Sequence, residues 1–388
     1  MIILDKPYVS NFLLETIKKY NIPVLKTDLS EELLYDKNKL LITEEDAILH
    51  FKNNSQAKLY TNSENSIAWI ENKLDFTDLP KKINIFKDKY RFRELVKPLF
   101  PDYFFKSIHI NELESTDVSG FPLPFILKPS IGFFSLGIYK INAHKDWGKA
   151  VSDIKKEMIQ IEGMYPKEVL NTTKFIVEEC IKGEEYAIDC YYDNNGNPVI
   201  LNVLKHLFAS ENDTGDRIYF TSAKVLKEQL KPVEDFLSEV GKLTGIKNFP
   251  VHIELRIKNG KVQPIEFNPL RFGGWCSTAD LTAYAWNINS YDYFLSGKKP
   301  DWEQILKNDN GHAFNLIVLD NNSGIAGKDI KRFDYDKLLK SFTKPLELRK
   351  TDYKKFPVFA FLFAKTDDEN AEELKNILKS DLREYISV

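Results

Sequence analysis

Two glutamates, an asparagine and an arginine stand close together in the chain: Glu254, Glu266, Asn268 and Arg271. The stretch Pro264-Ile265-Glu266-Phe267-Asn268-Pro269-Leu270-Arg271-Phe272-Gly273-Gly274 reads as a strand ending in an open loop that carries a carboxylate, an amide and a guanidinium. Ahead of it, residues 251–257 alternate apolar Ile253, Leu255 and Ile257 with polar His252, Glu254 and Arg256, the period of a strand covered on one face. Asn259-Gly260 marks a hairpin between them. A regular two-residue turn would set Glu254 against Ile265 and put the two apolar sets on opposite faces, so a three-residue loop, Lys258 to Gly260, is expected. Glu254, Glu266 and Asn268 then share one polar face. Two carboxylates about 4 Å apart repel by roughly 4 kcal/mol at an effective dielectric near 20, so something cationic should sit between them. An all-oxygen set of this kind suits Mg2+, which keeps waters and completes its shell with substrate phosphates. A solvated strand face with Arg256 as ion-pair partner accounts for the hairpin equally well.

The elements around this hairpin must come from a chain of 388 residues, long enough for two or three domains. A net charge of -3 leaves no basic footprint for nucleic acid. The three cysteines, Cys180, Cys190 and Cys276, have neither disulfide nor zinc spacing. Met1-Ile-Ile-Leu runs straight into Asp5 and Lys6, unlike a signal peptide, and no apolar run has membrane-spanning length. A cytoplasmic protein with neither membrane nor nucleic-acid partner is expected.

In chain order, a short strand at Met1 to Leu4, a helix from Ser10 to Tyr20 and a strand at Pro23 to Thr27 open a β-α alternation. The apolar runs Ala47 to Phe51 and Lys58 to Thr61, with a helix near Ser63 to Lys73, continue it, which predicts a small parallel α/β domain. No Gly-x-Gly-x-x-Gly turn follows the first strand, so dinucleotide binding is unsupported. Residues 84–96 read as one basic helix carrying Lys87, Lys89, Arg91 and Arg93. Phe125-Ile-Leu-Lys128-Pro129-Ser130 is a strand ending in a lysine, and the loop to Gly137 can lay N–H groups against phosphate; an ordinary hairpin turn is the competing account. Lys174 to Tyr186 is strand, linker, strand. Residues 186–192 and 199–204 pair through Asn194-Asn-Gly-Asn, Lys205-His206 closes the second strand, and Ala209 to Arg217 reads as a mobile loop. A helix over Val225 to Leu243 ends at Gly245. Beyond Gly274 come helices, strands at Ala313 to Leu319 and Pro357 to Phe363, and a helix from Asp368 to Leu382 opened by Thr366-Asp-Asp-Glu.

Taken in order, Asp88-Lys89, Lys128-Pro129-Ser130 with its loop, Glu178 to Glu185, Glu254, and Glu266-Phe267-Asn268 with Arg271 resemble the ATP-grasp superfamily, and within it the carboxylate-amine ligases of the amino-acid and D-alanine type. The resemblance spans roughly residues 84–295, and the order of five separate pieces makes it specific. It implies an α/β and α+β multidomain ATP-grasp fold: an N-terminal Rossmann-like α/β domain over 1–109, a central subdomain over 110–180, a C-terminal subdomain over 181–300 and a small appended α+β unit over 301–388. It further implies ATP and Mg2+ as cofactors, with Mn2+ as a substitute. Lys89 and Lys128 would contact the phosphates, with Ser135 in the loop that follows Lys128. Glu178 would accept from the adenine amino group, with Glu179 beside it, and the backbone of Cys180 and Ile181 would read the adenine edge. Glu185 would hold the ribose. Glu254, Glu266 and Asn268 would bind the metal, Lys205 would lie near the terminal phosphate, and Arg271 would bind the reacting carboxylate or its acyl-phosphate.

The activity so implied is ATP-dependent amide formation between a small-molecule carboxylate and an amine, in a monomer or homodimer. A kinase on the same fold and a nucleotide-binding module without chemistry are the alternatives. Asp216, Arg217 and Trp275 are candidates for the acceptor pocket. The sequence departs from its relatives at Phe133 and Phe134, in place of further small residues, and at His252, where the D-alanine ligases have an arginine.

Overall fold

Three sheets carry the site, and each forms where the alternation of side chains gives it one face to bury. The computed structural model describes residues 1–132, 137–161, 173–210, 213, 215–307 and 311–388, with the backbone alone at 160–161. Phe133, Phe134 and Ser135, and part of the loop expected over 209–217, lie outside the described residues.

The N-terminal layer is a parallel sheet in the order Leu41–Ile42, Val24–Leu25, Ile2–Ile3, Tyr60–Thr61. Its strands are short, and all but the edge strand Leu41–Ile42, which is half-buried, are buried as parallel strands covered by helices should be. The apolar run Ala47 to Phe51 is not a strand but the inner stripe of helix Glu44–Asn53, capped by Thr43. Ala47 and Phe51, four residues apart, face the core, while Glu44, Glu45 and Asp46 occupy the first turn.

The expected single helix over 84–96 is two. Helix Leu79–Lys87 ends at Asp88, whose extended backbone breaks it and whose carboxylate accepts from the Tyr90 and Arg91 N–H groups to start helix Lys89–Val96. Capping favours the break, since an aspartate satisfies N–H groups at a helix start that have no partner inside the helix. Lys89 thereby becomes a first-turn residue aimed into the cleft.

The central sheet is antiparallel, in the order Phe105–His109, Lys174–Glu179, Phe125–Pro129, Tyr139–Ile141. Phe125, Leu127, Phe175 and Val177 turn toward a core shared with Ile154 and Met158 of helix Trp147–Ile161. Period 2 sends Ile126, Lys128, Ile176 and Glu178 to the other face.

The third sheet has eight antiparallel strands in the order Lys261–Pro269, Phe249–Lys258, Glu184–Tyr192, Pro198–Leu207, Ile218–Ser222, Ala313–Asp320, Val358–Thr366, Pro345–Lys350. The sheet crosses residue 300 without interruption, so strands of the tail continue the scaffold that holds the hairpin; the tail also closes a core of its own around Phe333, Phe359, Leu362, Leu374 and Leu382. Strand Pro345–Lys350 is one the sequence reading passed over, and the last long helix is only Glu372–Lys379, with Ala371 at its N-cap and no side-chain cap. Helix Ala223–Thr244 packs Val225, Leu226, Val233, Leu237 and Val240 against the sheet and stops at left-handed Gly245. Among the described residues no helix is long and apolar enough to cross a membrane.

Candidate functional site

The hairpin is closed by a two-residue turn, not the three-residue loop expected: Lys258 pairs with Lys261, and Asn259 and Gly260 both take positive φ (52° and 73°). The register is restored elsewhere. Leu255 pairs with Pro264 but Glu254 pairs with Glu266, so Ile265 is the extra residue of a bulge. Pro264 has no N–H to give the ladder and sits on the edge strand, where proline and bulges are tolerated. Glu254, Glu266, Asn268 and His252 thus share a face, as the alternation required, and the Ile265 carbonyl accepts from Arg93 Nη2 at 3.0 Å.

Lys89 meets this face. Its Nζ lies 3.0 Å from Glu266 Oε2 and donates to the Gly132 carbonyl at 3.3 Å, while Asn268 Nδ2 donates to Glu266 Oε1 at 3.2 Å. Burial alone would raise the Glu266 carboxyl, but Lys89, with Lys128 and Lys87 behind it, holds it far below the usual carboxylate range. Glu254 goes the other way: burial and then Glu266, Asp216 and Glu185 push it well above that range. Two close carboxylates therefore share unequally, one ionised against a lysine and one favouring its proton. The Glu254 carboxyl makes no side-chain hydrogen bond or ion pair among the described residues. Arg256 is not its partner; it donates Nε and Nη2 to Glu185 (3.0 and 2.9 Å) and Nη1 to the Ile181 carbonyl (2.8 Å). The donor set fits a hard divalent ion, whose charge would let both glutamates ionise together. Among the described residues there is no group of three or more His, Cys, Asp or Glu that could hold a metal, so the set is these two carboxylates and an amide.

Across the cleft, Glu178 is 2% exposed and takes Arg93 Nε at 2.7 Å and Lys128 Nζ at 2.5 Å. Burial opposes its ionisation, yet Arg93 and Lys128 bring its pKa down to about 2. Lys128 itself is lowered, burial outweighing Glu178, with Arg93 and Lys89 adding to the effect. Lys89 and Arg93 are four residues apart on one helix, so a single stripe bridges the hairpin and the central sheet. That spacing was the signal for Arg93, which sequence reading had counted only as helix charge. Ser130 Oγ, where the phosphate loop begins, is buried with no partner among the described residues.

The remaining residues separate into two groups. Glu179 lies on the edge of the cleft, its Oε1 accepting from the Phe104 N–H at 3.4 Å. The Cys180 N–H bonds the Pro124 carbonyl at 3.1 Å. Glu185 faces the cleft but is engaged, by Arg256 and by His206 Nδ1 at 3.1 Å. Lys205 is not brought into the site. It pairs in register with Tyr186, which pairs with Leu255, so it points to the face opposite Glu254 and there meets Glu184 at 2.5 Å. His206 takes the cleft face instead, stacked on Tyr219 at 4.2 Å. Arg217 is buried away from the cleft against Asp320 at 2.6 Å. Asp216 accepts from Tyr219 at 2.6 Å, and Trp275 packs among Tyr8, Phe356 and Phe361. His252 Nδ1 lies 2.7 Å from Oδ1 of fully buried Asp189, whose carboxylate also accepts from the Gly273 N–H and the Thr278 hydroxyl. This network pins the loop that follows Arg271.

Arg271 is held by a residue that sequence reading missed. Glu64 Oε1 accepts from its Nε at 3.1 Å and Nη2 at 2.8 Å, and Lys87 sits on the other oxygen. Burial would raise Glu64, but Lys87 and Arg271 bring it to about 2.

Residues 121–279 match the family model described as an ATP-grasp domain. No curated protein matches the sequence. Among solved structures, the L-amino acid ligase of Bacillus licheniformis is similar at TM-score 0.68 and 16% identity, covering 100% of this chain and 97% of that one. The N5-carboxyaminoimidazole ribonucleotide synthetase of Thermotoga maritima is similar at 0.63 and 15%, covering 100% and 98%. The biotin carboxylase domain dimer of the Hydrogenobacter thermophilus 2-oxoglutarate carboxylase, in complex with MgADP and bicarbonate, is similar at 0.62 and 12%, covering 94% and 86%. The domain match falls on the central sheet and the carboxylate hairpin, so residues 121–279 carry an ATP-grasp domain, and the fold of these solved structures recurs along the whole length of the chain.

Proposed function

We propose that this protein is an ATP-dependent carboxylate-amine ligase that forms an amide through an acyl-phosphate and releases ADP and phosphate. The observation that carries the reading is Lys89, which touches both the carboxylate hairpin and the first carbonyls of the phosphate loop. A cation so placed is suited to phosphate oxygens lying between the two sheets. Lys128 is the second such charge. Glu178 keeps both lysine and Arg93 ordered, and the Cys180 carbonyl and Ile181 N–H are the linker groups suited to the adenine edge. Glu185 becomes available to a ribose if Arg256 turns aside.

Glu254, Glu266 and Asn268 would hold Mg2+, which supplies neutralisation of the phosphate charge when bound. The MgADP in the biotin carboxylase relative supports that choice of ion. Reaction then needs a carboxylate oxygen to attack the terminal phosphorus, with ADP leaving, and an amine nitrogen to attack the acyl carbon, with phosphate leaving. Arg271 is suited to the carboxylate and to the acyl-phosphate because a guanidinium edge takes two oxygens at once. Lys89 and Lys128 stabilise charge on the transferred group without reorganising.

The test is ADP release screened against amino acids and short peptides, singly and in pairs, with hydroxylamine as a trap. Hydroxamate is expected with the true carboxylate, whereas a kinase yields none. Glu266→Gln and Arg271→Ala should each cost about 100- to 1000-fold in turnover. Near native ADP release in both variants would rule this site out.

A further inference from the structure

We propose that Glu64 and Lys87, both from the N-terminal part of the chain, are positioning residues that aim Arg271 and preserve its positive charge for the substrate anion. The inference rests on the ligase reading above. Glu64 begins the short turn Glu64–Ser66 just after strand Tyr60–Thr61, and the Thr61 N–H donates to the Leu270 carbonyl at 2.9 Å, so the turn is tied to the residue before Arg271.

Three contacts fix the guanidinium. Nε and Nη2 donate to Glu64 Oε1, and Nη1 donates to the Phe272 carbonyl at 2.9 Å. The Nε edge is consumed by this anchoring. The fork left for an anion is the outer one, made by the remaining hydrogens of Nη1 and Nη2. An arginine so held presents one edge in one direction, where an unanchored one would sample many rotamers.

A carboxylate bound this closely would by itself cancel the charge that the substrate needs. Lys87 answers that. Its Nζ lies on Glu64 Oε2, and the Glu64, Lys87 and Arg271 side chains are 9%, 5% and 14% exposed, so the three form one buried group with two positive charges and one negative. The surplus charge is what attracts a substrate carboxylate. A simple tie between layers would need only Glu64 and one cation.

The test uses Glu64→Gln, Lys87→Met and Arg271→Lys in the full chain. Glu64→Gln is expected to lower kcat for carboxylate-dependent ADP release by about 10- to 100-fold, the usual cost of losing a residue that orients another, and to raise KM for the carboxylate. KM for ATP should stay within about twofold, since Lys89, Lys128 and Glu178 are untouched. Combined with Arg271→Lys, it should cost no more than Arg271→Lys alone, because the two act as a unit. Losses that add, or that fall equally on both substrates, overturn the proposal. Lys87→Met keeps the Glu64 contact and is expected to raise KM for the carboxylate; an unchanged KM overturns the charge argument. One readout needs no substrate: the Arg271 Nε–H resonance, assigned by its loss in Arg271→Lys, should be protected from solvent exchange in the native protein and in Lys87→Met but not in Glu64→Gln. Equal protection in all three removes the anchor. Absence of any carboxylate-dependent ADP release in the native protein would instead sink the ligase reading and leave this resonance to decide the anchor.

Discussion

Replacing Glu178 by glutamine should cost the protein about 3 kcal/mol at neutral pH. The side chain is 2% exposed and carries Arg93 at 2.7 Å and Lys128 at 2.5 Å. Its carboxyl falls from 4.5 to about 2 in the folded protein. At about 1.4 kcal/mol for each tenfold, that difference favours the folded, ionised state by about 3 kcal/mol. The figure agrees with the roughly 3–5 kcal/mol lost when one partner of a buried pair is removed. The sign follows from a depressed carboxyl: its contribution is complete above pH 4.5 and is lost as pH falls through about 2. Near pH 3 less than half of it should remain. Urea titrations followed by tryptophan fluorescence, for native protein and Glu178→Gln at pH 3 to 7, measure the gap directly. A gap below about 1 kcal/mol at pH 7, or one that does not shrink toward pH 3, would refute the claim that this carboxylate is held ionised between two cations.

Lys205→Ala should leave turnover within about twofold of native, because the side chain is on the far face and its pair with half-exposed Glu184 is of the kind worth about 0–1 kcal/mol; a 100-fold loss in steady-state ADP release would return Lys205 to the site. Lys89→Met removes the cation that Glu266 leans on, so the melting temperature should fall and Mg2+ should restore more of it than it adds to the native protein; thermal melts with and without Mg2+ decide this, and equal Mg2+ shifts would count against a shared cation position. Gly273→Ala should destabilise by about 1–3 kcal/mol, since a Cβ there would lie 2.2 Å from Thr278 Oγ1 inside the Asp189 network. Its urea midpoint should drop and its ADP release with it, and a native midpoint would show that the loop after Arg271 has more room than the packing allows.

Local rules carried much of the site. Alternation along 251–257 and 265–268, with Asn-Gly between, was enough to require that Glu254, Glu266 and Asn268 share a face, and it did so although the slip was placed at the turn. The chain makes the slip at Ile265, next to Pro264, because the proline has no ladder N–H there and Arg93 rewards the freed carbonyl. Strand period also explains why Lys128 and Glu178 lie on one side of their sheet, since Phe125, Leu127, Phe175 and Val177 fill the other, but that pairing came only with the structure.

What the sequence could not determine were the contacts between parts far apart in the chain. Whether Lys205 or His206 enters the cleft depends on the pairing of three strands, and one residue of register reverses it. Asp88 looked like one charge in a helix and proved to be the cap that turns Lys89 into the cleft. Glu64 stands 207 residues before Arg271 and had no local pattern to mark it. Periodicity decides which way a side chain faces within its own element; only the packing of one layer on another decides what it meets, because that partner is chosen by the burial of the whole face and not by its neighbours in sequence.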